Sequence, residues 1–194
     1  MLLGLPLLAS AQVDLRKVSL SPGVQDSILG TSIVLKDKAI IFSKVYESTL
    51  TKEELTNKIK SLLPSVKSFQ LTDSPNQTAE QFSGRFTDYI VNYRKYGGTL
   101  MGTPMILNNP LNANVIIQVK DYKYRVIVSD IIFKGVKVLV NDTGTDILAD
   151  DFLSRNKRQL IRSNSNSQSI ANYLNKDFTD NFDITKSAKI DTNF

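Results

Sequence analysis

Apolar and polar positions alternate most regularly between Ala113 and Phe133. Val115, Ile117 and Val119 form one apolar row and Tyr124, Val126 and Val128 a second, and the intervening KDYK predicts a hairpin of two strong strands. Upstream, the chain turns strand-like at Ile33, and AIIFSKVYE, Ala39 to Glu47, is rich in β-branched and aromatic residues. A helical period follows. Thr51 with Glu54 three residues on is a capping box, and Leu55, Ile59, Leu62, Leu63 and Val66 share one stripe. Pro64 predicts the end of the regular helix near Leu63.

KSFQLTD reads as a short strand and SPNQ as a turn. In EQFSGRFTDYIVNYRKY the alternation runs through Phe82, Gly84 and Phe86 and resumes at Tyr89, Val91 and Tyr93. That change of phase predicts one long strand with a bulge or bend. The next stretch, with Gly97, Gly98, Gly102, Pro104 and Pro110, predicts a long loop, either functional or a wide connection partly packed on the core. KGVKVLVND continues as a strand, with Gly135 a plausible bulge. Helical patterns cover 149–162 and 168–182; in the second, Ile170, Tyr173, Leu174 and Phe178 share a face, and SNSNS before it offers caps. The expected organisation is a leader over 12–32 with no regular structure, an α+β domain over 33–148, and a C-terminal helical segment over 149–194 with a frayed end.

Composition narrows the chemistry. The 194 residues include no His and no Cys, which removes imidazole bases, thiol nucleophiles, thiolate zinc sites and disulfides. An enzyme would have to use carboxylates, Lys, Tyr, Ser or Thr. The net charge of +5 is mild and suits a solvated surface, with anionic partners as the sharper reading.

MLLGLPLLASAQ is an apolar run followed by Ala9 and Ala11 around Ser10, the pattern of a signal peptide over 1–11 cleaved before Gln12. The run is short and lacks a basic start, so Met1 is expected to be internal to a longer precursor; the competing reading is a buried N-terminal strand or helix. No other stretch approaches the roughly 20 apolar residues of a membrane span. A periplasmic or secreted protein without a transmembrane segment is expected.

NDTGTD, with Asp142, has the Asp-Thr-Gly of a retroviral-type aspartic protease. Such an enzyme needs two apolar residues directly before the Asp and an apolar pair with Gly downstream; here Asn141 intervenes and no Gly follows Gly144. The stretch reads as a turn. Asp142, Asp146, Asp150 and Asp151 miss the spacing of a Ca²⁺ loop, and the last three read as charges at the start of the next helix. Arg155, Lys157, Arg158 and Arg162 read as a solvated basic helix face.

The order strand, helix, then meander with VKDYKYRVIVSDI, behind a signal peptide, resembles the exported domain of unknown function with a TATA-binding-protein-like fold found in Gram-negative envelopes. That family's motif is Lys-Asp-Gly-Arg-Tyr-Arg in a hairpin, and here Lys120, Asp121, Tyr122, Lys123, Tyr124 and Arg125 stand in its place. Tyr122 replaces the Gly and Lys123 the Arg, so a turn with positive φ at both central residues is disfavoured and a different one is expected. The resemblance spans Ile40 to Phe133. It implies an α+β fold, a curved antiparallel sheet with helices packed on one face, and carries no established activity. Lys120, Lys123, Tyr124 and Arg125 are the candidate binding residues, as a basic, aromatic edge; the structural alternative has Tyr124 packing and the charges pairing across strands. The expected function is a non-enzymatic binding or interaction module of the periplasm or envelope, without cofactor or metal. Its expected partner is an envelope protein or glycan rather than nucleic acid. The alternative is an envelope-polymer enzyme using carboxylate or Lys/Tyr chemistry.

Overall fold

The computed structural model describes residues 26–72, 80–137 and 143–186. The expected signal peptide, most of the leader, Asn141 and Asp142 lie outside them.

The strands are β1 (Asp26–Ser27), β2 (Ile33–Lys36), β3 (Ala39–Glu47), β4 (Phe69–Leu71), β5 (Gln81–Tyr89), β6 (Leu111–Lys120), β7 (Lys123–Val136) and β8 (Thr145–Leu148). They form one open antiparallel sheet in the order β1-β2-β3-β7-β6-β5-β4, with β8 pairing the far end of β7. Helix α1 (Lys52–Leu62) follows β3. The C-terminal part holds α2 (Ala149–Leu153), a small hairpin of β9 (Ser154–Arg155) and β10 (Leu160–Ile161), and α3 (Ser165–Asn181).

The capping box forms as expected. The Thr51 hydroxyl accepts from the Glu54 amide, and the Glu54 carboxylate accepts from the Thr51 amide at 2.8 Å. Pro64 falls in a short 3-10 turn, Leu63–Ser65, which ends the α-helix. On β6 every second side chain is buried, on β7 the same alternation holds between breaks at Asp130 and Gly135, and these rows meet the apolar stripes of α1 and α3 in a single core. At its centre Phe86 stacks on Phe178 (5.8 Å between ring centres) while Phe42 meets Phe178 edge-on at 5.6 Å. Each of these rings is wholly buried, a contribution of about 1.5–3 kcal/mol apiece. Gly84 has a steric reason: a Cβ there would lie 2.2 Å from the Phe69 ring, so its absence lets β4 close over β5.

The change of phase in β5 is a register shift between Phe86 and Tyr89, with Asp88 at φ 50°. Gly135, at φ 58°, sits in the shift between Phe133 and Val136. Other expectations need correction. Residues Tyr93–Tyr96 leave the strand as a 3-10 turn: Asp177 on α3 takes the Asn92 amide, and the Asn92 side chain caps the Lys95 amide. The helix expected over 149–162 stops at Leu153, and the basic residues after it lie in the β9–β10 hairpin, with Asn156, Lys157 and Arg158 all at positive φ. The leader's last residues are structured: Asp26–Ser27 pair with β2, and Ile28 is buried in the core. Helix α3 starts at Ser165, three residues before its expected start, with Asn164 as its cap.

Candidate functional site

The helices cover one face of the sheet, and alternation decides what the other face carries. Between β3, β7, β6 and β5 the register aligns Val45, Arg125, Gln118 and Gln81 in one row and Ser43, Ile127, Ile116 and Ser83 in the next. These side chains are exposed or half-buried, whereas those one position along are buried. Lys120 and Lys123 face each other directly across the β6–β7 turn.

Lys120, Lys123 and Arg125 therefore converge on the open face, beside Val45 and Gln118, around a shallow hollow of about 200 Å³. Among the described residues none of the three cations makes a hydrogen bond or ion pair. Lys120 and Lys123 in direct register repel, although Glu47 stands opposite Lys123 on the β3 side and Lys120 lies close enough to Glu80 to favour its ionised form.

Tyr124 is a correction. Its ring lies on the covered face, 2% exposed, stacked on Tyr46 with 4.7 Å between centres. Its hydroxyl donates to the Phe182 carbonyl (2.7 Å) and accepts from the Ile184 amide (3.3 Å), and burial pushes the phenol's pKa up. An odd-numbered neighbour of Lys123 and Arg125 would share their face; Tyr124 cannot, because side chains in a strand alternate.

The rest of the motif is also structural. Asp121 accepts from the Lys52 amide (2.9 Å), capping α1, and Tyr122 exchanges main-chain bonds with Leu50 and Ser48. Tyr122, in the place of the Gly, takes positive φ (62°) despite its side chain, whereas Asp121 does not, so the turn departs from the type with both central residues at positive φ. The motif thus docks the hairpin on α1 with Asp121, packs the core with Tyr124, and presents three cations outward.

Carboxylates converge elsewhere. Asp177 on α3 is 3% exposed; one oxygen accepts from the Tyr89 hydroxyl and the Asn92 amide (2.8 Å), the other from the Tyr96 hydroxyl (3.2 Å). Burial raises its pKa, with these donors opposing. The Tyr96 hydroxyl shares its one proton between Asp177 and Asp180 (3.0 Å), whose carboxylate is held by Lys95 and Lys186; burial works against ionisation there, but these partners win, the two lysines foremost, and lower the pKa to about 2. Every oxygen of this pair is engaged, so the network latches α3 to the end of β5 and offers no free base. The hint in the sequence was an Asp on the helix stripe, at i+7 from Ile170 and beside Phe178.

Other candidates are occupied too. Arg158 pairs with Asp150 and Asp151 (3.2 Å each), and Arg162 donates to the Ser154 carbonyl (2.7 Å). Asp150 accepts from the Ile40 amide (2.8 Å), and Asp146 takes Lys134 and the Gly135 amide. Among the described residues no group of acidic side chains is placed to hold a metal ion, and no helix is long and apolar enough to cross a membrane. The long loop is partly packed on the core: Ile106 and Leu107 are buried, while Leu100, Met101 and Met105 stand exposed.

A DUF4468 family protein from Bacteroides ovatus has the same architecture, at TM-score 0.51 and 11% identity, over 79% of this chain and 88% of that one. The fold is α+β, an open antiparallel sheet with helices on one face, shared with that structure. A TBP-like protein from Parabacteroides distasonis aligns over 78% of this chain and 95% of its own at 16% identity and TM-score 0.48. No family model matches the sequence, and no curated protein matches it. In this α+β chain, the open sheet face with its three outward cations is the candidate site.

Proposed function

We propose that this chain is an exported, non-enzymatic interaction module of the bacterial envelope that binds its partner on the open face of the sheet. One observation carries the reading: Lys120, Lys123 and Arg125 share that face, and among the described residues none of their side chains is held in a hydrogen bond or ion pair. These cations beside half-buried Ile116 and Ile127 and exposed Val45 form a surface with an apolar floor and a basic rim, suited to an acidic partner. Export rests on the Ala9-x-Ala11 pattern after the apolar run.

The test is face-specific cross-linking in the protein's own cells. A photoreactive residue at Gln118 on the open face is compared with one at Lys60 on the outer side of α1. An adduct formed only from position 118, and lost with Lys120→Glu and Arg125→Glu, supports the reading. Identical products from both positions, or none from 118, overturn it. Fractionation of the same cells tests export, and a cytoplasmic protein retaining Met1 would overturn that part.

A further inference from the structure

A second site lies at the opposite end of β5, independent of the sheet face. There the 3-10 turn Tyr93–Tyr96, the end of α3 and the segment before β4 enclose an open cleft of about 550 Å³. That volume falls within the roughly 300–1,000 Å³ of small-molecule sites.

Its lining is rich in donors. The Asn108 side-chain oxygen accepts from the Tyr93 hydroxyl (2.6 Å), which turns the Asn108 amide nitrogen away from that bond. The Asn92 oxygen is used by the Lys95 amide, which leaves its nitrogen free in the same way. Among the described residues neither nitrogen has an acceptor, and neither Arg94 nor Lys67 has an anionic partner. One acceptor joins them: Asn181 spends its nitrogen on the Tyr89 hydroxyl (2.6 Å), leaving its oxygen free. The nearby negative charges do not cancel the cations at the rim. Asp177 is enclosed by Tyr89, Tyr96 and the Asn92 amide, and Asp180 by Lys95, Lys186 and Tyr96. The latch therefore fixes the geometry of the cleft while Lys67 and Arg94 set its sign.

We infer that this cleft binds a small hydroxylated anion of the sugar-acid or sugar-phosphate kind. Arg94 and Lys67 meet the charged group, because a guanidinium and an ammonium are the natural partners of carboxylate or phosphate. The amides of Asn92, Asn108 and Asn181 meet hydroxyls, since a hydroxyl accepts from the free nitrogens of the first two and donates to the free oxygen of the third. The exposed side chain of Ile90, 43% accessible, supplies the apolar contact. A bare anion would leave the amides unused, and a neutral sugar would leave the two cations unused.

The experiment is an amide-resolved NMR titration of the full chain with glucuronate, glucose 6-phosphate, glucose and inorganic phosphate at constant ionic strength. The expected result is saturable shifts at Asn92, Arg94, Asn108 and Asn181 with glucuronate, glucose 6-phosphate or both. Response to only one of these assigns the source as carboxylate or phosphate. Glucose and inorganic phosphate are expected to bind at least about tenfold more weakly, each lacking half of the recognition. Asn108→Asp keeps an oxygen for Tyr93, so the turn survives, yet it replaces the free donor with a negative charge. It and Arg94→Gln should each weaken binding by about tenfold or more while the rest of the spectrum is unchanged. Glucose binding as well as the acids, phosphate binding as well as the sugar phosphate, variants binding like the parent, or no saturable shift at the cleft would each overturn the inference. Shifts confined to residues 120–125 would overturn it while leaving the sheet-face reading intact.

Discussion

Replacing Tyr124 with Phe separates a residue of the core from a residue of the site. The ring keeps its place against Tyr46, so the area buried and the stacking are retained. Only the hydroxyl is lost, and with it two bonds that hold the segment after α3. The Phe182 carbonyl loses a donor at 2.7 Å and the Ile184 amide an acceptor at 3.3 Å, in a place where both residues are at least 97% buried. A buried group left without a partner costs about 1–3 kcal/mol. The longer of the two bonds is the weaker, so the expected loss is about 2–3 kcal/mol in total. For a domain of this size that corresponds to a fall in Tm of roughly 4–12 °C. Urea denaturation gives the free energy from the midpoint at unchanged slope, and hydrogen exchange at the Ile184 amide locates it. That amide should exchange faster than in the parent while the strand amides of β6 and β7 keep their protection. A loss below about 0.5 kcal/mol, or a stable protein that no longer gives the adduct from position 118, would refute the assignment of Tyr124 to the core.

Other substitutions probe the remaining steps. Lys120→Glu turns a repulsive cross-strand pair with Lys123 into an attractive one and should stabilise the hairpin by about 0.2–1 kcal/mol, while abolishing the adduct; thermal melts beside cross-linking test both halves, and a destabilised hairpin would contradict the register argument. Gly84→Ala places a methyl 2.2 Å from the Phe69 ring and 2.7 Å from the Gln70 carbonyl, so β4 must shift, at about 1–3 kcal/mol by denaturation. Asp180, lowered to about 2 by its lysines, stabilises the fold above its ordinary carboxylate value, and that contribution is lost as pH falls from about 4 towards 2; Asp180→Asn should flatten the urea midpoint across this window. Asp177 acts in the opposite sense. Its raised pKa means the folded state holds the proton more tightly, so its ionisation costs stability as pH rises through the folded value, and Asp177→Asn should remove that slope from the same titration.

How much of this was legible depends on the distance over which each feature is decided. The Thr51–Glu54 box, the bounds of β3, the 120–123 turn and the break between Phe86 and Tyr89 are set by neighbours a few residues apart, and each is visible in the residue pattern. The side on which Tyr124 lies was legible as well, since it alternates with Val126 and Val128. Grouping it with the adjacent cations set a chemical motif above the period of two, and the period holds. The turn at Tyr93–Tyr96 and the hairpin after Leu153 are different. Asp177 takes the Asn92 amide from 85 positions away, and the β9–β10 turn is pinned where Arg158 reaches Asp150, itself committed to Ile40 across 110 positions. Local propensity there pointed to strand and helix, and distant partners overrode it.

The two candidate sites divide along the same line. The cations on the open face come from one hairpin, so a single motif of six residues exposes them to inspection. The cleft draws on Lys67, the segment around Asn92, Asn108 and Asn181, which only the closed sheet and the α3 latch bring together. No local pattern marks an asparagine whose nitrogen is free because its oxygen is already in use. That property arises from the Tyr93–Asn108 bond, and so from the fold itself. A site of this kind depends on the latch for its shape. Loosening Asp177 should therefore disturb the cleft while the cationic hairpin, held by Asp121 on α1, stays in place.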